Sequence, residues 1–159
     1  MRAGRHDPDA GVTALTAPVA AAIAVVLRSR EVVLVQRRNP PDAGLWGYPG
    51  GKIEAGETII EAGLRELREE TGIVGRPRHL LTPFDVFHQD ADGRLLGHFI
   101  LLPVLCGWVS GTPVAASDAL DAAWFEIDGL EGKQAILSRQ VCELAGQAAA
   151  FGASGPGAA

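Results

Sequence analysis

Between Thr58 and Gly72 the chain reads TIIEAGLRELREETG, and no other stretch limits its fold as tightly. Thr58 with Glu61 three residues on makes a capping box, Gly72 is placed to end the helix in a left-handed turn, and no proline intervenes. The stretch therefore predicts a helix whose two ends are fixed by its own residues. At about 100° per residue, with Glu66 at zero, Glu70 falls near +40° and Glu69 near −60°, so three carboxylates share one face. Ile60, Leu64 and Leu67 fall between about +100° and +160°, a separate stripe suited to packing on a sheet. On this reading the helix is anchored by one side and shows charge from another. Gly63, inside the helix, costs about 1 kcal/mol relative to alanine and points to close packing against a neighbouring backbone.

The remainder of the chain supplies a sheet. Val19 to Leu27 and Glu31 to Gln36 are Val/Ile/Ala-rich runs split by a polar turn, as in a hairpin or adjacent strands. Leu80 to Phe87 and Leu95 to Val109 read as strands joined by a turn whose Asp92-Gly93 pair favours a hairpin, and Ala122 to Ile127 reads as a further strand. A Pro/Gly/Asn-rich loop, residues 39–51, is too broken for either element. From Lys133 to about Gln147, Ile136, Val141 and Leu144 recur at near-helical spacing, which predicts a C-terminal helix. With 159 residues the chain is expected to hold one domain, residues 18–151, between a flexible segment 1–17 and a disordered tail 152–159 rich in Gly, Ala, Ser and Pro. Strands flanking one central helix suggest an α+β architecture with a mixed sheet covered on both faces, and the lack of strict βαβα alternation counts against a doubly wound fold.

Charge and cysteine usage narrow the function. A net charge of −5 disfavours nucleic acid as a partner, because a phosphate backbone is met by clustered Lys and Arg. The apolar run from Ala17 to Leu27 is too short to span a bilayer and follows Asp7 and Asp9 rather than a basic segment, so a membrane role is not expected. Cys106 and Cys142 are too few for a disulfide framework and read as reduced thiols of a cytoplasmic protein. None of His6, His79, His88 and His98 has a metal-ligand spacing to another His or Cys.

From Gly51 to Ile73 three bases face six acids, so this stretch carries −3 of the total −5. Arg65 and Arg68 neutralise part of that charge. The rest reads either as a solvated helix face or as a cluster of oxygen ligands suited to a hard divalent cation, Mg²⁺ or Mn²⁺. The loop in front favours the second reading: Gly50 and Gly51 let the backbone approach a ligand, and a carbonyl there would complete a coordination shell.

As a string, Gly51 to Ile73 (GKIEAGETIIEAGLRELREETGI) matches the Nudix box, G x5 E x7 R E U x E E x G U with U aliphatic, at Gly51, Glu57, Arg65, Glu66, Leu67, Glu69, Glu70, Gly72 and Ile73. The chain resembles the Nudix hydrolase family. EVVLVQRR (31–38), GLWGYPGG (44–51) and DAAWF (121–125) look like the group of ADP-ribose pyrophosphatases and MutT-like proteins. The resemblance implies a Nudix-type α/β/α sandwich and hydrolysis of a nucleoside diphosphate linked to another group. It implies that Glu66, Glu69 and Glu70 hold Mg²⁺ with the Gly50 carbonyl, that Glu57 and Gly51 support the loop, and that Arg65 orients a metal-binding glutamate. Glu69 is the expected base, with Asp118 and Asp121 as loop alternatives. One of Arg37 and Arg38 is expected to face the site and pair with phosphate, since side chains alternate along a strand. Trp46 and Tyr48 stand either as base-stacking residues or as packing. ADP-ribose or a related nucleotide sugar is the favoured substrate, an oxidised dGTP-like triphosphate the alternative, and a non-catalytic nucleotide-sensing module the alternative of another class. A homodimer is an expectation from the family alone.

Overall fold

The computed structural model describes residues 17–154, so the expectation for residues 1–16 lies outside the described residues. Two strands, β1 (Val19–Arg28) and β2 (Glu31–Arg37), form the expected hairpin, with Leu27 opposite Val32 and Arg28 opposite Glu31. Two short strands follow, β3 (Trp46–Gly47) and β4 (Gly50–Lys52), inside the stretch expected to be loop. They form because β2 offers Val35 and Gln36 to β3, while the start of β1 offers Ala21 to Ile23 to β4.

The helix α1 (Ile59–Thr71) has the predicted ends: Thr58 accepts from the Glu61 amide, Glu61 returns the bond, and Gly72 adopts φ 73°. Beyond it lie β5 (Val74–Leu80), β6 (Phe84–Gln89), the long β7 (Leu95–Ser110) and β8 (Ala119–Glu126). β7 runs parallel to β1, and its two halves pair antiparallel with β6 and β5. β8 closes on β2, also antiparallel. The result is one mixed sheet.

Both faces of the sheet are covered, which explains why the strand runs are continuously apolar. Ala24 and Val26 of β1, Val33 of β2, and Val104 and Cys106 of β7 pack with Leu67 under α1. Their alternates Ile23, Val25, Val32, Leu34 and Leu105 pack with Leu144, Ala145 and Ala148 of the last helix, α2 (Val141–Ser154). This is the α/β/α sandwich that the sequence implied.

Four expectations need correction. Residues 80–87 are not one strand: the chain breaks at 81–83, ahead of β6, and the residues before it form β5, an exposed edge strand with Pro77 and no apolar alternation to reveal it. Residues 131–136 form a 3₁₀ turn, and the helix starts only at Val141 because Leu137 is extended and bridges to Trp46. α2 runs through Ser154, three residues into the segment expected to be tail, and residues 155–159 lie outside the described residues. Ile60 is 41% exposed, and the buried side of α1 is made by Ala62, Gly63, Leu67 and Thr71. Gly63 does allow close packing, but against side chains: a Cβ there would stand 3.2 Å from Val104.

Candidate active site

The side of α1 that meets the sheet also carries two of the acids, so anchoring and charge are not segregated. Room for them exists because the strand beneath, β4, opens with two glycines. A Cβ on Gly50 would lie 2.5 Å from the Ala22 carbonyl oxygen and from Ile23, and one on Gly51 would overlap the Glu66 carboxylate. The backbone therefore comes as near to the helix as glycine alone permits. The Gly50 amide donates to Glu70 Oε2 at 3.2 Å. Glu66 retains only 15% of its side-chain exposure.

Crowding of these two acids has an electrostatic signature. Burial, and then the charge of Glu66, push the Glu70 carboxyl up to about 7, against the opposing pull of the Gly50 amide and Arg37. Glu66 is relieved by Arg65 instead, whose Nη1 donates to Glu66 Oε1 at 2.8 Å and to Glu69 Oε2 at 3.3 Å. The same guanidinium grips Glu57 with two bonds, 2.7 and 3.0 Å, and the Lys52 carbonyl at 3.2 Å. Hydrogen bonding from Arg65, then from the Glu54 amide, holds Glu57 below the usual carboxylate range, and the bonds to Glu57 and Glu66 raise Arg65 itself. Arg65 thus ties the loop before α1, strand β4 and two acids of the helix into one unit.

The third acid, Glu69, is 51% exposed and turned toward Arg65. Among the described residues no three His, Cys, Asp or Glu side chains converge as a coordination shell. Glu66 and Glu70 nevertheless fit a hard cation. They are hard oxygen donors, and positive charge beside them would favour the ionised form of Glu70, which burial and Glu66 disfavour.

Around this pair the flanking candidates separate. Arg37 and Asp118 line a small cavity of about 130 Å³ with Glu70 and Gly50. Arg38 lies at its rim and is exposed, its amide donating to the Asp118 carbonyl. So Arg37 is the arginine of the pair whose charge reaches Glu70. Asp121 sits on β8 opposite Gln36, accepts from the Ala122 amide at 2.8 Å, and lines neither described cavity. Tyr48, 4% exposed, belongs to the core under α2, donates its hydroxyl to the Val141 carbonyl, and also lines both the small cavity and the larger cleft. Trp46 packs edge-on against Phe125 at 4.9 Å and lines neither described cavity.

A larger cleft of about 740 Å³ opens from Gly50 and Gly51 past Arg37 to Phe84, Phe99 and Ser138. No motif marks these last three. They meet only because β6, β7 and the lead into α2 converge.

Fold and site together define a class: an α/β/α sandwich in which one helix presents carboxylates over a glycine strand. Residues 17–144 match the NUDIX domain, and the chain belongs to the Nudix hydrolase family. Over 113 residues it is 33% identical to an ADP-ribose pyrophosphatase of Methanocaldococcus jannaschii, covering 71% of this chain and 64% of that one. It is 34% identical over 105 residues to an 8-oxo-dGDP phosphatase of Mus musculus, covering 65% of this chain and 31% of the relative. The chain thus spans less than two thirds of either relative's length. In structure it is similar to a NUDIX hydrolase from Nitrosomonas europaea, with a TM-score of 0.70 at 26% identity, over 86% of this chain and 90% of that one. Enzymes of the family act on nucleotide diphosphates and generally need a divalent metal. Among the described residues no helix is long and apolar enough to cross a membrane.

Proposed function

We propose that the protein hydrolyses a nucleoside diphosphate linked to a further group, with Mg²⁺ as the working cation and ADP-ribose or a related nucleotide sugar as substrate. The observation that carries this reading is the half-buried pair Glu66 and Glu70 against Gly50 and Gly51, with Arg37 beside it. The archaeal relative named an ADP-ribose pyrophosphatase supports the choice of substrate.

Glu66, Glu69, Glu70 and the Gly50 carbonyl would hold the cation, which when bound masks the diphosphate charge and acidifies water. Arg37 pairs with a phosphate oxygen and draws the diphosphate toward the glycine strand. Water attacks one phosphorus, its proton passes to the Glu69 carboxylate, and the phosphorus–oxygen bond of the anhydride breaks with the electron pair leaving on the departing phosphate. Glu69 suits this part because it is the acid left half open to solvent. Asp118, in the cavity with Glu70, is the alternative base. Arg65 fixes Glu57 and Glu66 in direction, with Gly51 leaving the space for Glu66.

A second reading, hydrolysis of an oxidised guanine nucleotide, is favoured by the mouse relative. Product analysis separates the two. ADP-ribose yields AMP and ribose 5-phosphate, and an oxidised dGTP yields the monophosphate and pyrophosphate. The proposal expects magnesium-dependent turnover that Glu69→Gln and Glu70→Gln each abolish. Turnover surviving the loss of Glu70 contradicts the metal assignment, and a wild type inert toward every nucleotide points to a non-catalytic sensing module.

A further inference from the structure

Two polar atoms beside the site have no protein partner. Arg37 Nε and Ser138 Oγ are both enclosed, and neither makes a hydrogen bond among the described residues. Groups of this kind are rare in folded proteins and call for a reason. These two are neighbours: a Cβ placed on Gly47 would stand 3.3 Å from Arg37 Nε and 3.2 Å from Ser138 Oγ. The backbone holds them there. Gly47 pairs with Val35, two residues before Arg37, and the Ser138 amide donates to the Trp46 carbonyl at 2.8 Å, next to the Trp46–Leu137 bridge. Arg37, Gly47 and Ser138 thus lie across three adjoining backbone segments, with glycine in the middle leaving the space between the other two. All three line the larger cleft together with Phe84, Phe99 and Leu101, and its volume, about 740 Å³, suits a small-molecule site. The third orphan among the described residues, Trp124 Nε1, lines neither cavity.

We infer that Ser138 is a substrate-binding residue, which together with Arg37 receives one acceptor oxygen of the substrate across Gly47. An N–H from a cation and a hydroxyl able to donate both call for an oxygen acceptor, carried by a phosphate or by the carbonyl of a purine. This rests on the hydrolase reading above and adds a specificity-determining residue outside the matched box.

The test compares wild type, Ser138→Ala and Gly47→Ala on ADP-ribose and on an oxidised dGTP, with calorimetric affinity for the α,β-methylene analogue of ADP-ribose as a readout free of turnover. Losing one such bond is expected to raise KM and weaken analogue binding about five- to tenfold. Gly47→Ala, which crowds both atoms, should act in the same direction. A rise on both substrates assigns the oxygen to a phosphate, and a rise confined to the oxidised guanine nucleotide assigns it to the base. Ser138→Ala should melt no lower than wild type, because an unpaired hydroxyl contributes nothing to folding; a merely structural serine would lower the melting point. Unchanged KM on both substrates with wild-type turnover intact overturns the inference. A wild type that turns over neither substrate fails the hydrolase reading itself, and this inference with it.

Discussion

Glu70→Gln should make the metal-free protein more stable while removing its capacity for metal. The Glu70 carboxyl is raised from the ordinary 4.5 to about 7 by burial and by Glu66. Between those two pH values the folded chain holds a proton that the unfolded chain has released, so stability falls as pH rises through this window and stays lower above it. At about 1.4 kcal/mol per tenfold change in proton affinity, the ionised carboxylate weakens the fold by about 3 kcal/mol at pH 8. Glutamine has the same shape, keeps an oxygen to accept from the Gly50 amide, and carries no charge. Urea denaturation in EDTA should therefore find the variant more stable than wild type by about 3 kcal/mol at pH 8, a gap shrinking below about 1 kcal/mol at pH 5. Melting points should differ by about 6–12 °C at pH 8. With Mg²⁺ added, wild type should gain stability and the variant should not. A variant no more stable than wild type at pH 8 in EDTA, or a gap that ignores pH, would refute the account of Glu70 as a strained acid awaiting a cation.

Other substitutions probe the supports. Arg65→Ala leaves Glu57 and Glu66 without the guanidinium that ties them together, and should lower the urea midpoint and reduce kcat at least about tenfold. Thr58→Ala removes the cap of α1 and should cost about 1 kcal/mol with kcat unchanged, since the cap touches no acid of the site. Gly51→Ala drives a methyl into the Glu66 carboxylate and should abolish magnesium-dependent turnover in a folded protein, as judged by circular dichroism and product release. Because a cation must displace the Glu70 proton, calorimetric affinity for Mg²⁺ should fall up to about tenfold for each pH unit below 7.

What could be read from the sequence was what short-range chemistry decides. The helix α1 carries its own start and stop in Thr58, Glu61 and Gly72, and the β1–β2 hairpin is written in adjoining apolar runs. The box names Glu66, Glu70, Arg65 and Gly51, which the fold brings next to one another on α1 and β4. The partial burial of Glu66 and Glu70 was not legible, because it depends on how closely β4 settles on β1, a distance set by tertiary packing at Gly50. β5 was hidden because its residues are exposed and irregular, and it is a strand only by virtue of the β7 edge it pairs with. The displaced start of α2 has the same origin: Leu137, apolar and on the helical period, is drawn off by Trp46 ninety-one residues earlier. Ser138 gave no signal for that reason as well.

The central claim is that α1 and the glycine strand together capture divalent cations. Anomalous scattering from crystals of the protein soaked in Mn²⁺ tests it most directly. The account predicts a peak at bonding distance from the carboxylates of Glu66 and Glu70, absent from crystals of Glu70→Gln; strong manganese peaks elsewhere with none between these two side chains would contradict it.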